Sequence, residues 1–227
     1  DLVRSRGLGD VYKRQAYDVL VDFAEVALIA KSRGLDGLKK IEISPGKPMK
    51  VMLYQKADSI SDAFKKVGSP AAFEMKYDGF MMLINKKDKE IKLFTRRLED
   101  VTRQFPDVVE KVKNINADFI LNAEIVGIDS QGKYLPFQNI SQRIKRKYDI
   151  EFMAKKFPVV IKVFDILFLD GKNLLNIPFA ERRKILEFLC PEILAEQLVT
   201  DNEFESEKFY EKSLAAGNEG IMVKNLE

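Results

Sequence analysis

The chain has 227 residues, 46% hydrophobic and 32% charged, the balance of a folded globular protein rather than a disordered or membrane one. Its 38 basic and 35 acidic residues leave a net charge of +3, which permits contact with nucleic acid without demanding it. A single cysteine and no histidine exclude an intrachain disulfide, a thiolate metal cluster, histidine-ligated zinc, and Ser-His-Asp or Cys-His nucleophiles. Covalent chemistry here must run through lysine, a hydroxyl or a carboxylate. No apolar run reaches the roughly 18 residues of a membrane span and no signal-peptide core is seen, so the expected compartment is the cytoplasm.

Residues 1–15 mix arginine, lysine and glycine with neither helical nor strand periodicity, and are read as a non-native sequencing scar, with a natural basic arm as the alternative. Residues 16–33 turn helical, with Leu20, Phe23, Ala27 and Ala30 on one stripe and Gly34 as the stop. That helix is apolar nearly all round, which suits membership of a larger helical body. Pro45, Gly46 and Pro48 mark a linker, and a domain boundary is placed between residues 16–46 and 47–227.

Ser59 and Asp62 open a short helix that Gly68 closes. Strands follow over residues 71–77, 80–86 and 90–95, then a helix from Pro106 to about Ile115 and a strand over residues 119–129. A helix is expected over residues 137–145, a strongly apolar strand over 159–169, helices over 179–189 and 203–216, and a last strand over 221–224. The chain stops there without a terminal signal and is read as truncated. The fold class expected is α+β, built on antiparallel sheets flanked by helices.

Within this frame some charges stand where apolar residues belong. In Phe73-Glu74-Met75-Lys76-Tyr77-Asp78-Gly79 the alternation puts Glu74, Lys76 and Asp78 on one face. Taken alone, that run reads as a solvated edge strand. Glu124 interrupts an apolar strand, so it should face a cavity, a cation or a metal unless the face is solvated. Glu219 precedes Gly220 and a buried-looking strand, and Phe164 shares a face with Lys162. Arg96 is either a phosphate contact or surface charge, and the basic run Arg143, Lys145, Arg146 and Lys147 is either a phosphate track or a solvated helix end. Neither common glycine-rich phosphate loop is present, so any nucleotide must be held by side chains and metal.

These residues, in order, resemble the covalent nucleotidyltransferase superfamily, specifically ATP-dependent DNA ligases of the archaeal and eukaryotic replicative type. The resemblance rests on Glu74-Met75-Lys76-Tyr77-Asp78-Gly79, Phe94-Thr95-Arg96-Arg97, Ala123-Glu124-Ile125-Val126, Leu135-Pro136-Phe137-Gln138, Phe164-Asp165-Ile166-Leu167-Phe168-Leu169-Asp170-Gly171 and Glu219-Gly220-Ile221-Met222-Val223-Lys224. It also makes residues 16–46 the end of a helical DNA-binding domain and residues 47–227 an adenylation domain stopping before its last motif.

The resemblance implies that Lys76 attacks the α-phosphate of ATP, carries AMP, and passes it to the 5′-phosphate of a nick, where the 3′-hydroxyl displaces it. It places Glu74 at the adenine end, Phe164 stacked on the base, and Arg96, Asp78, Glu124 and Lys224 around the nucleotide, with Glu124 and Glu219 as Mg²⁺ ligands. Nicked double-stranded DNA, a sliding clamp, a monomeric state and a place at the chromosome in replication, repair and recombination are expected with it. An ordinary lysine is neutral in only about one part in 2,500 at pH 7, and neighbouring carboxylates favour the ammonium further. Met81 departs from the family, which has an arginine two residues after the motif glycine, and the chain is read as stopping before the family's final lysine-bearing motif and OB-fold domain; nick sealing by this chain is therefore expected to be weak or absent.

Overall fold

Alternating apolar positions pair into two antiparallel sheets, and the passage from one to the other carries the most charged stretch of the core. The computed structural model describes residues 8–50 and 54–227; residues 1–7 of the opening stretch and residues 51–53 of the junction lie outside them. The smaller sheet is formed by β1 (Ala71–Lys76) between β8 (Gln197–Thr200) and β9 (Gly220–Lys224). The larger runs in the order β3 (Glu90–Thr95), β2 (Phe80–Lys87), β4 (Phe119–Ile128), β6 (Val159–Leu169), β7 (Lys172–Asn173), with β5 (Tyr134–Leu135) paired to the end of β4. This is the expected α+β arrangement of antiparallel sheets flanked by helices.

The helices follow from local signals. Ser59 accepts a hydrogen bond from Asp62 N at 3.0 Å and starts α3 (Ile60–Val67). Pro106 sits in the first turn of α4 (Pro106–Val112), where its missing N–H leaves nothing unsatisfied. Asn202 caps α8 (Glu203–Ala215) through the amides of Phe204 and Glu205. Helices α5 (Phe137–Ile144), α6 (Ile150–Lys156) and α7 (Phe179–Leu189) complete this part of the chain.

One apolar face of the larger sheet, with Met82, Ile84, Leu121, Ala123, Ile125, Val163 and Ile166 fully buried, packs against Phe105, Val108, Val112, Ile140 and Leu186 from the helical side. A second cluster joins Phe73 and Met75 of β1 and Tyr77 just after it to Val126 of β4 and Phe209 of α8, with Phe164 at its margin. Burying whole apolar side chains stabilises by about 1.5–3 kcal/mol each, so these clusters hold both strand registers.

Several expectations are corrected. Residues 16–33 are not one helix: α1 (Leu8–Leu20) ends at Val21, with φ +53°, and α2 (Phe23–Lys39) starts afresh. The cause is Asp22, whose carboxylate accepts from Ala24 N and Glu25 N and caps the second helix. Helix therefore also covers part of the opening stretch, and Gly34, with φ +60°, kinks α2 rather than ending it. Helix α6 and strands β5, β7 and β8 were not anticipated.

Arg143 does not belong to an exposed basic run. Its side chain is fully buried, forms a two-pronged pair with Asp107 at 2.9 and 2.6 Å, donates to the carbonyls of Phe157 and Gln104, and lies 4.3 Å from the Phe105 ring centre. It ties α5 to the start of α4. Arg143→Met should lower stability by about 3 kcal/mol, because Asp107 and two carbonyls lose a buried partner. Urea unfolding at pH 7 measures it.

Candidate active site

The site is assembled where the two sheets meet. After Lys76 the chain leaves the smaller sheet, turns through Tyr77, Asp78 and Gly79, and enters β2 at Phe80. The turn lies hard against β4: a Cβ on Gly79 would stand 2.3 Å from the carbonyl oxygen of Ile125 and 3.0 Å from Glu124 Cγ. Only glycine lets the two backbones approach this closely. Tyr77 anchors the other side of the turn, buried, with its hydroxyl accepting a hydrogen bond from Glu196 N at 3.1 Å. Burial pushes its phenol well above the usual tyrosine range, so it stays a neutral prop.

Lys76 is the last residue of β1, opposite Gly220 in the ladder. Its side chain is 28% exposed and its ammonium is ion-paired with Glu219, whose backbone N–H also donates to the Lys76 carbonyl at 2.9 Å. Gly220 has φ +146°, a region that favours glycine, and this sets Glu219 at the strand mouth beside the lysine. The Tyr54 ring centre is 5.7 Å from Lys76 Nζ.

From the larger sheet, Glu124 lies between Met81 of β2 and Lys162 of β6 in one row across three strands. Burial raises its carboxyl to about 8; the Lys76 charge opposes the shift and the Asp78 charge adds to it. Glu124 thus feels the charges of Lys76 and Asp78 from across the seam. Glu124 is a carboxyl that lacks enough positive charge to stay ionised at neutral pH, which is what a bound cation would correct. Among the described residues no three or more acidic, histidine or cysteine side chains form a closed metal cage. Two carboxylates suit Mg²⁺, which keeps waters and shares phosphate oxygens.

The other end of the seam is built from Glu74, Lys224 and Phe164. Glu74 is buried, with its carboxylate 2.5 Å from Lys224 Nζ and accepting from Gln197 Nε2 at 2.9 Å. Lys224 Nζ lies 4.7 Å from the Phe164 ring centre and 4.6 Å from that of Phe179. Phe164 falls where the β4–β6 register shifts between Asn122 and Ala123, a bulge that re-aims a side chain.

The structure therefore brings together Lys76, Asp78, Glu124 and Glu219 at one end and Glu74, Phe164 and Lys224 at the other. Arg96 stands exposed in the turn after β3, and among the described residues no contact ties it to the others. Lys145, Arg146 and Lys147 are exposed beyond α5, with Arg146 3.6 Å from Asp149. Gln197 and Arg183, which face Glu74, were missed; Gln197 lies on the unanticipated β8, and nothing in the α7 pattern set Arg183 apart from ordinary helix charge. The lone Cys190 is buried and its thiol is pushed up to about 11, so it is no rival nucleophile.

A lysine at a strand end among carboxylates, in the seam of two antiparallel sheets, defines a nucleotidyltransferase domain, and comparison with known proteins agrees. The ATP dependent DNA ligase domain family matches residues 51–227. The DNA ligase of Nanoarchaeum equitans is 48% identical over 219 residues, which cover 93% of this chain and 39% of that ligase. The ligase domain of M. tuberculosis LigD is similar with a TM-score of 0.59 and 27% identity, over 76% of this chain and 53% of that one. A mycobacterial DNA ligase D complexed with ATP and MES is similar with a TM-score of 0.58 and 26% identity, over 80% of this chain and 54% of that one. The chain belongs to the ATP-dependent DNA ligase domain family.

Gly79→Ala should destabilise the protein by about 1–3 kcal/mol, since the added methyl meets backbone that cannot yield without shifting β4. A lower urea midpoint with unchanged slope is the expected result.

Proposed function

We propose that this chain is the adenylation core of an ATP-dependent DNA ligase. Lys76 Nζ attacks the α-phosphorus of ATP, a P–N bond forms, the bond to pyrophosphate breaks, and AMP remains on the lysine as a phosphoramidate. AMP then passes to the 5′-phosphate of nicked DNA, and the 3′-hydroxyl displaces it as the nick closes. The observation that carries this reading is the placing of Lys76 at the mouth of β1, in contact with Glu219 and within the field of Glu124.

The amine must lose a proton before it attacks, and its ion pair with Glu219 favours the ammonium, so that contact has to loosen first. Phosphate oxygens entering the seam bring further negative charge toward Glu124, Asp78 and Glu219. Glu124 and Glu219 would hold Mg²⁺, which when bound supplies the positive charge that neutralises phosphates and carboxylates together. Met81, level with Glu124, contributes no charge of its own. Phe164 offers a flat ring for the base, and Glu74 offers acceptors to an amino group on it.

The chain spans about two fifths of the Nanoarchaeum equitans ligase it matches. Adenylation is therefore assigned to this chain, and sealing to the whole protein of which residues 16–46 form the end of a helical DNA-binding part. Lys145, Arg146 and Lys147 are exposed at the surface and would meet the DNA backbone.

Incubation with ATP and Mg²⁺ should add the mass of AMP to the protein, while Lys76→Ala stays unmodified and GTP leaves no label. Label on Lys76→Ala would overturn the assignment. Lys145→Ala and Lys147→Ala should each weaken nicked-duplex binding at all sequences and flatten its salt dependence by about one ion. Titration at several salt concentrations reads this.

A further inference from the structure

Glu74 has more partners than a side chain needs merely to be buried, and they come from three elements. Glu74 Oε2 pairs with Lys224 of β9 at 2.5 Å, and Oε1 accepts from Gln197 Nε2 at 2.9 Å, directly opposite in the β1–β8 ladder. Arg183 of α7 points its Nη1 at the same Oε1 from 3.8 Å. That Nη1 is buried and has no hydrogen-bond partner among the described residues, while the other side of the guanidinium reaches Glu187 at 3.2 Å. A buried guanidinium nitrogen without a hydrogen-bond acceptor is costly, so its place beside Glu74 needs a compensating role.

The preceding residue on the same helix makes the matching contact to the other sheet. Arg182 grips Asp165 of β6 with Nε at 2.8 Å and Nη2 at 3.1 Å, and Asp165 also receives Ile166 N at 2.8 Å. Asp165 follows Phe164 in the shifted part of the β4–β6 register. Consecutive arginines of α7 thus hold the bulge that carries Phe164 and the carboxylate of Glu74, one in each sheet. Phe179 of α7 lies under Lys224, and Ala180 N donates to Leu226 O at 3.0 Å, so the helix is also fastened past the end of β9.

We propose that α7 braces the base end of the seam, with Arg183 and Gln197 as positioning residues that aim the Glu74 carboxylate at the exocyclic amine of a 6-aminopurine. This rests on the adenylation reading above and says what sets its base selectivity. With one oxygen paired to Lys224 and the other accepting from Gln197 with the Arg183 charge 3.8 Å away, few lone pairs of Glu74 are left over. An amine there donates to them; the 6-oxo group of guanine presents an acceptor to an acceptor and is rejected. Without the brace the carboxylate can swing, and the amine gains less.

The test is Lys76 labelling at varied concentrations of ATP and of purine riboside triphosphate, which lacks the 6-amino group. In the wild type the half-saturating concentration should rise at least about tenfold for the analogue. In Arg183→Met and in Gln197→Leu that ratio should shrink to about threefold or less, with the maximum rate on the analogue retained, and Arg183→Lys should recover part of it. Gln197→Leu decides the matter if Arg183→Met does not fold. An unchanged ratio in the variants overturns the brace while leaving adenylation standing. Equal half-saturation for both nucleotides in the wild type overturns reading of the amine by Glu74, and absence of any label on Lys76 removes adenylation and the brace together.

Discussion

The structure depends on a crossing of three residues. Between Lys76 and Phe80 the chain leaves one sheet and enters the other, and Gly79 lies so near the Ile125 carbonyl that no side chain fits. This contact sets the distance between β1 and β4. It therefore sets how Lys76 and Asp78 on one side meet Glu124 on the other. Tyr77, buried and neutral, holds the far side of the turn through Glu196.

Electrostatically, the seam is divided. At the lysine end carboxyl groups outnumber cations: Glu219, Glu124 and Asp78 surround Lys76, and Glu124 is driven toward its neutral form by burial. At the base end the balance is reversed, with Lys224 and Arg183 both directed at Glu74. The proposed substrate, ATP with its cation, would set an amine-bearing ring against the Glu74 end and a polyphosphate against the Lys76 end. Neither end would be stable without the apolar clusters beneath it, because paired charges in low dielectric contribute little net stability and chiefly define geometry.

How much of this was legible beforehand varies with the kind of signal. Strands β1, β2, β3, β4, β6 and β9 and the helices α3, α4, α5, α7 and α8 carry strong periodicity, caps or turn residues, and each forms close to its expected place. Strand β8 has four residues and no alternation long enough to recognise; pairing with β1 makes it a strand. The break in the first helix lay in Asp22, a capping residue inside an apolar stretch. Arg143 was misassigned because a basic run in sequence says nothing about which member turns inward, and the guanidinium found Asp107 from 36 residues away.

The sequence by itself excluded histidine chemistry and an intrachain disulfide, and its ordered motifs around Lys76 carried the resemblance to the ligase family to which the chain belongs. It determined the strand alternation that puts Glu74 and Lys76 on one face, since side-chain direction in a strand follows from position alone. Tertiary structure decided the partners. Glu219 reaches Lys76 from 143 residues along the chain, Glu124 arrives from a different sheet, and Gln197 and Arg183 fix Glu74 from elements with no local signature of function. The reason is that hydrogen bonds and ion pairs act over a few ångströms of space, and spatial neighbours from distant segments exist only once the two sheets have packed.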